Sequence, residues 1–176
     1  LKEGDLKAFS ILYKTYYPML YSYGLKISRK IPLTEDTLQD FFLYVYEHRE
    51  NLSDLDTVAP YLFSSYRRLL IKALKKKSKV VSFNETDVKI IDIQFTPEEI
   101  ITHQESETFK NKNISILLNK LPKRQKEAIY LKYYSGLNTS DIAKVMEVNY
   151  QSAANTIHKA IKNLREEVSI LQLLNS

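Results

Sequence analysis

The sequence predicts an all-α chain of two helical modules joined by a linker, and three observations lead there. Glycine and proline are scarce, three and five in 176 residues, so few positions interrupt a helix. Apolar residues make up 44% of the chain and recur at three- and four-residue spacing, which is enough for packed cores. Charge is partitioned: residues 1–77 carry 13 basic and 9 acidic side chains, 78–113 carry 4 and 7, and 114–176 carry 9 and 5. Two basic ends around an acidic middle indicate modules at 1–77 and 113–176 with a linker over 78–112.

Each element follows from local pattern. Asp5 caps a first helix whose inward face carries Phe9, Tyr13, Tyr16 and Leu20, with Pro18 expected to kink or split it. A second helix spans about Leu33 to His48, with Leu38, Phe42 and Val45 facing a core and a second stripe of Asp36, Asp40, Leu43 and Glu47. After a loop from Arg49 to Ala59, Pro60 opens a third helix, rich in Arg and Lys and free of acids from Tyr61 to Lys77. Leu62, Tyr66 or Leu69, and Leu70 are its expected buried set.

Residues 78–95 lose the helical period and are expected to be extended, while Thr96, Pro97 and Glu99 have the order of a helix start. Pro122 opens a helix through Tyr134 that Gly136 is placed to end in a left-handed conformation.

Composition removes several function classes. Without cysteine there is no disulfide, thiolate metal site or cysteine nucleophile. His48, His103 and His158 lie too far apart in sequence for metal-ligand spacing, and three isolated glycines make no phosphate-binding loop. No cofactor and no metal are expected, and an enzyme is disfavoured because no convergent catalytic set is visible. No apolar run of about 18 residues and no signal-like segment is present, so no membrane insertion and a cytoplasmic location are expected. The chain starts at Leu1 without an initiator Met and is expected to be trimmed.

The last 40 residues carry the strongest functional pattern. Thr139 to Met146 reads as a short helix with Ile142, Ala143 and Met146 inward, followed by a turn at Glu147, Val148 and Asn149. Asn149 caps a further helix, from Tyr150 to Val168, with Ala153, Ile157, Ala160, Ile161 and Leu164 as its core stripe. Gln151, Asn155, His158, Lys159 and Lys162 form the opposite stripe, with Arg165 near it. This is the layout of a helix-turn-helix: the second helix fits a DNA major groove, amides pair with adenine, and cations fix register on phosphates. The same residues also suit three packed helices with a solvated polar face.

Residues 136–165, GLNTSDIAKVMEVNYQSAANTIHKAIKNLR, resemble the promoter-reading C-terminal module of bacterial RNA polymerase sigma factors, and LPKRQKEAIYLKYYSGL resembles its leading helix. GDLKAFSILYKTYYPMLYSYG, EDTLQDFFLYVYEHRENL and APYLFSSYRRLLIKALKKK resemble the other conserved module, region 2. Two modules and a short linker are similar to the extracytoplasmic-function (ECF) class, and NYQSAANTIHKAIKNLR looks most like Bacteroidetes-type members.

The resemblance implies that the chain binds core RNA polymerase and directs promoter recognition, strand opening and initiation. Asp36, Gln39, Asp40, Leu43 and Glu47 would dock on the β′ clamp helices, and the β flap would be a second contact. The promoter −10 element would be opened by a pocket over Asn51 to Thr57, stacking faces from Tyr61, Phe63 and Tyr66, and phosphate contacts from Arg67, Arg68 and Lys72. Gln151, Ser152, Asn155, His158 and Lys159 would read the −35 element, with Lys162 and Arg165 on phosphates. An anti-sigma factor is an expected partner. The chain departs from the family pattern at Arg68, often Asn, at Lys72, often acidic, and at Glu147, often Gly. The alternatives are a stand-alone helix-turn-helix regulator, in which residues 1–77 sense or dimerise, and a helical interaction adaptor.

Overall fold

A computed structural model describes residues 6–49, 58–78, 91–97 and 108–174. These residues form seven helices: α1 (Leu6–Ser28), α2 (Ile31–Glu47), α3 (Val58–Ser78), α4 (Thr108–Lys120), α5 (Lys123–Tyr133), α6 (Thr139–Val145) and α7 (Tyr150–Leu174). Helix α1 packs on α2 and α3, and α2 packs on α3; in the C-terminal half, α5, α6 and α7 pack on one another and α4 lies on α7. Helix α3 also packs on α6. Both halves therefore share one apolar cluster, running from Leu12 and Leu20 through Phe63 and Ile93 to Ile142 and Ile157.

Helix α1 departs from its sequence reading in two ways. It continues through Pro18 without splitting; the proline sits on an exposed face, where packing elsewhere on the helix offsets one missing backbone bond. The buried stripe is Leu12, Leu20, Tyr23 and Gly24, rotated from the expected one. Phe9 and Tyr16 are only half-buried and Tyr13 is exposed. The rotation arises because α1 must face α2 and α3 together, and the aromatics on its flank pack as tilted rings: Tyr13 lies 4.8 Å from the Phe42 ring and 4.9 Å from Tyr17.

The turn into α2 is tight. Arg29 takes φ 55° and its N–H bonds the Leu25 carbonyl at 2.9 Å, ending α1 in a left-handed residue. Pro32 falls in the first turn of α2, where its missing N–H has no partner to lose. On α2 the expected core residues Leu38, Phe42 and Val45 are all buried, with Leu33 and Phe41 beside them.

Residues 91–95 are extended, as their alternation predicts, and form no strand. Ile91, Ile93 and Phe95 are buried. The polar groups of this segment are held from both halves. Lys26 Nζ donates to the Gln94 carbonyl at 2.6 Å, and Arg29 Nη2 to that of Asp92 at 2.8 Å. The Asn119 side chain accepts from Phe95 N–H at 2.8 Å and donates to its carbonyl at 2.9 Å. Lys126 pairs with the Asp92 carboxylate. The helix start expected at Thr96 leads into residues outside those described.

Gly24 of α1 lies directly against Tyr66 of α3. A Cβ there would overlap the Tyr66 phenol, a ring that is fully buried and packed 5.6 Å from Phe41. We predict that Gly24→Ala destabilises the fold by about 1–3 kcal/mol through overpacking, read as a lower urea midpoint with an unchanged slope.

Candidate nucleic-acid interface

The C-terminal half builds a helix-turn-helix from ordinary capping chemistry. Gly136, at φ 67°, follows α5. Asn138 Oδ1 accepts the Asp141 N–H at 2.9 Å and its amide donates to the Asp141 carboxylate at 2.8 Å, capping α6. Helix α6 ends in a Schellman turn: Val148 N–H reaches the Ala143 carbonyl at 3.0 Å and Glu147 N–H that of Lys144 at 3.3 Å. The residue that must turn left-handed is Glu147, at φ 55°. Asn149 Oδ1 then accepts the Ser152 N–H at 2.7 Å and starts α7. Ala153, Ile157 and Ala160 are buried, Ile161 and Leu164 half-buried, which fixes the roll of α7.

That roll leaves one face free. Gln151, Ser152, Asn155, His158, Lys159, Lys162 and Arg165 are all exposed. Gln151 donates to Asn155 Oδ1 at 3.1 Å, so the two amides align each other on the outer surface, and Lys162 makes only a loose 3.8 Å pair with Glu166. The arrangement offers amides near the N-terminal end of the helix and cations further along, the order in which a major-groove helix meets base edges and then phosphates.

On α3 the expected −10 set divides. Tyr61 is half-buried, and Arg68 and Lys72 are exposed; with Ser65 they form one stripe at i, i+4, i+7 and i+11. Phe63, Tyr66 and Arg67 are instead buried in this arrangement: Tyr66, with Leu62 and Leu70, falls in the expected buried set, while Phe63 and Arg67 are withdrawn from water against expectation. The reason is that α3 is enclosed on two sides, by α1 and α2 and by α6, so the positions between those contacts are withdrawn from water. Phe63 packs 5.5 Å from Tyr23. Arg68 lies 3.6 Å from Glu147 in the helix-turn-helix turn, both exposed. The expected pocket over Asn51 to Thr57 lies outside the described residues.

Arg67 is held by the other half of the chain. Its Nε donates to Glu127 Oε1 at 2.8 Å and its Nη2 to Oε2 at 3.4 Å, while Tyr23 O–H donates to Oε1 at 2.8 Å. Glu127 is 2% exposed. Burial by itself would lower the Arg67 pKa, but the Glu127 carboxylate and its hydrogen bonds hold it above the ordinary range. Burial, and then the Glu127 charge, push the Tyr23 phenol well above its usual value against the opposing pull of Arg67. Burial also raises Tyr66. Tyr23 therefore keeps the proton it donates throughout the neutral range.

Helix α2 presents Asp36, Gln39, Asp40 and Glu47 to solvent, with Leu43 57% exposed among them. Tyr44, 46% exposed and stacked 4.1 Å from His48, extends this face and was not expected from sequence. A groove of about 620 Å³ opens between α4, α5 and α7, lined by Leu118, Ile129, Tyr133, Ile161, Leu164 and Val168. Glu127 and Tyr23 were also missed; the available signal was that Glu127 is the single acid in KRQKEAIYLKY, next to an apolar run. Among the described residues no three His, Asp or Glu side chains stand together as a metal site, and no helix is long and apolar enough to cross a membrane.

Comparison with known proteins places this geometry. Residues 12–80 match the family Sigma-70 region 2, and residues 113–164 match Sigma-70, region 4. The chain is 22% identical over 171 residues to the ECF RNA polymerase sigma factor SigX of Bacillus subtilis, covering 94% of this chain and 86% of that protein. It is 24% identical over 155 residues to the ECF sigma factor SigL of Mycobacterium tuberculosis, covering 88% and 85%. Its fold is similar to that of the sigma factor RpoE in complex with the anti-sigma factor NepR from Bartonella quintana, with TM-score 0.65, 20% identity and coverage of 94% and 99%. CnrH in complex with the cytosolic domain of CnrY gives TM-score 0.58 at 15% identity, covering 96% and 92%.

The left-handed Glu147 makes a direct test of the turn. Replacing it by Gly relieves a side-chain penalty of about 1 kcal/mol and loses only an exposed ion pair. Glu147→Gly is expected to raise the thermal midpoint by a few degrees; a lower midpoint would mean that the Arg68 contact outweighs backbone strain.

Proposed function

Since the chain belongs to the ECF RNA polymerase sigma factors, we propose a division of labour among its residues. The protein binds core RNA polymerase and directs promoter recognition, strand opening and transcription initiation. We assign the N-terminal module to residues 1–77, the linker to 78–112 and the C-terminal module to 113–176. Within the family, we also class the chain with Bacteroidetes-type members, on the strength of NYQSAANTIHKAIKNLR.

The observation that carries the reading is the free face of α7. A capped helix with two mutually aligned amides and three cations, held at fixed roll by Ala153, Ile157 and Ala160, suits −35 readout by Gln151, Ser152, Asn155, His158 and Lys159, with Lys162 and Arg165 on phosphates. The −10 duplex meets Tyr61, Arg68 and Lys72, the exposed stripe of α3. Arg68 and Lys72 stand where the family often carries a neutral or acidic side chain, and they strengthen the sequence-independent share of DNA affinity.

Polymerase contact is assigned to two surfaces. The acidic face of α2 around Leu43, now with Tyr44, suits the basic and apolar β′ clamp helices. The groove between α4, α5 and α7 is apolar with Arg165 at its rim, and suits the β flap. The same two faces, each an exposed apolar centre with charged edges, are what an anti-sigma factor would cover.

Run-off transcription with purified core polymerase is expected to yield transcripts from genomic promoter DNA only when this chain is added; no chain-dependent initiation on any fragment would overturn the reading. Gln151→Ala and Asn155→Ala should each cost about 1–3 kcal/mol on the preferred −35 sequence if bidentate. An equal loss on scrambled DNA would exclude them as readers. Lys162→Ala should weaken binding to all sequences and reduce the salt slope by about one, and an unchanged slope would remove it from the phosphate set.

A further inference from the structure

We propose that the free chain is locked shut by Glu127, whose carboxylate occupies the Arg67 guanidinium that promoter phosphate takes in the open form. The proposal rests on the function above, and it begins from distance. Elements centred at −10 and −35 lie about 25 base pairs apart, or roughly 85 Å of duplex at 3.4 Å per pair. A compact chain of this length is about 40 Å across. With α3 packed on α6, the basic stripe of α3 and the reading face of α7 cannot meet both elements together. The packed arrangement must open for promoter binding, and whatever holds it shut sets how readily it does so.

The residues across the junction say what that is. Arg67 and Glu127 are 7% and 2% exposed, so in the closed form neither charge has water to fall back on. Glu127 accepts from Arg67 twice and from Tyr23 once, a bidentate carboxylate clamp with the geometry a phosphate would offer. Around it, Tyr23 stacks 5.9 Å from Tyr130, and Phe95 lies 6.3 Å from the same ring. The apolar contacts supply adhesion, while the charged pair sets a condition: both partners must be present, or a buried charge loses the opposite charge at its side.

This condition gives an unusual signature. In the open form either residue is hydrated, so removing a single charge penalises only the closed form. Replacing both charges by apolar groups of similar size removes the penalty, and such exchanges of a buried pair are often neutral or stabilising. A single substitution therefore opens the chain and the paired substitution closes it again. A mere loss of packing volume would instead make the double change at least as open as the single one.

The natural chain has no cysteine, so two labels can be placed without background. Lys14→Cys and Glu166→Cys lie on exposed positions of α1 and α7, and the distance between them is read on the full chain by pulsed spin-label spectroscopy. The free chain is expected to give one narrow short-distance population, and core polymerase to lengthen it by tens of ångström. Glu127→Gln should shift the free chain toward long distances by on the order of 100-fold in the open-to-closed ratio. Its affinity for core polymerase should rise in proportion to the open fraction gained. Arg67→Met with Glu127→Leu should return the short distance.

A Glu127→Gln distribution that superimposes on that of the unmodified chain overturns the lock, as does a double variant as open as the single one. If Glu127→Gln loses helical circular dichroism, Glu127→Asp, which keeps the charge but shortens the reach, takes its place and is expected to open the chain partially; no opening again overturns the proposal. Opening by Glu127→Gln in a chain that core polymerase neither binds nor lengthens would sustain the lock and overturn the polymerase function instead.

Discussion

One buried ion pair, Arg67 with Glu127, is the constraint to which much of the molecule conforms. Taking two such charges out of water costs several kcal/mol for each ion before their attraction is counted, so the surroundings must supply both close geometry and a third hydrogen bond. Tyr23 provides that bond from α1, at 2.8 Å. The demand fixes how α3 lies: with Arg67 turned toward α5, Phe63 and Tyr66 face inward with it, and Gly24 must lack a side chain to let the Tyr66 ring approach. Tyr61, Ser65, Arg68 and Lys72 remain at least partly accessible to solvent as one stripe of α3.

The segment at 91–95 obeys the same geometry from outside. An extended chain exposes its backbone N–H and C=O groups, and these need partners when buried. Here they come from α1, through Lys26 and Arg29, and from α4, through Asn119, while Lys126 of α5 neutralises Asp92. Ile91, Ile93 and Phe95 fill the apolar seam. The segment is thus part of the interface between the two halves as well as the covalent tie between them.

The closed arrangement treats the candidate surfaces unequally. The polar face of α7 and the acidic face of α2 stay solvated, so both are accessible in this form. On α3, Arg67 is engaged by Glu127, and Arg68 lies against Glu147 in the turn between α6 and α7. Two acids of the C-terminal half thereby sit on two adjacent arginines of the N-terminal half.

By itself the sequence determined much of what depends on neighbours close along the chain. Helix placement followed from apolar spacing and caps: Asn149 starts α7 as its short polar side chain requires, and Gly136 takes a left-handed turn after α5. The free stripe of α7 was legible because a helix with Ala153, Ile157 and Ala160 on one side must present Gln151, Asn155 and Lys159 on another. The acidic face of α2 was legible for the same reason. Tertiary structure alone decided which side of α1 is inward and which basic residues of α3 are free, because α3 is enclosed by helices from both halves. Arg67, Arg68 and Lys72 are alike in a sequence. What separates them is a carboxylate 60 positions away, and no local period encodes a contact between elements that meet only when the chain has folded.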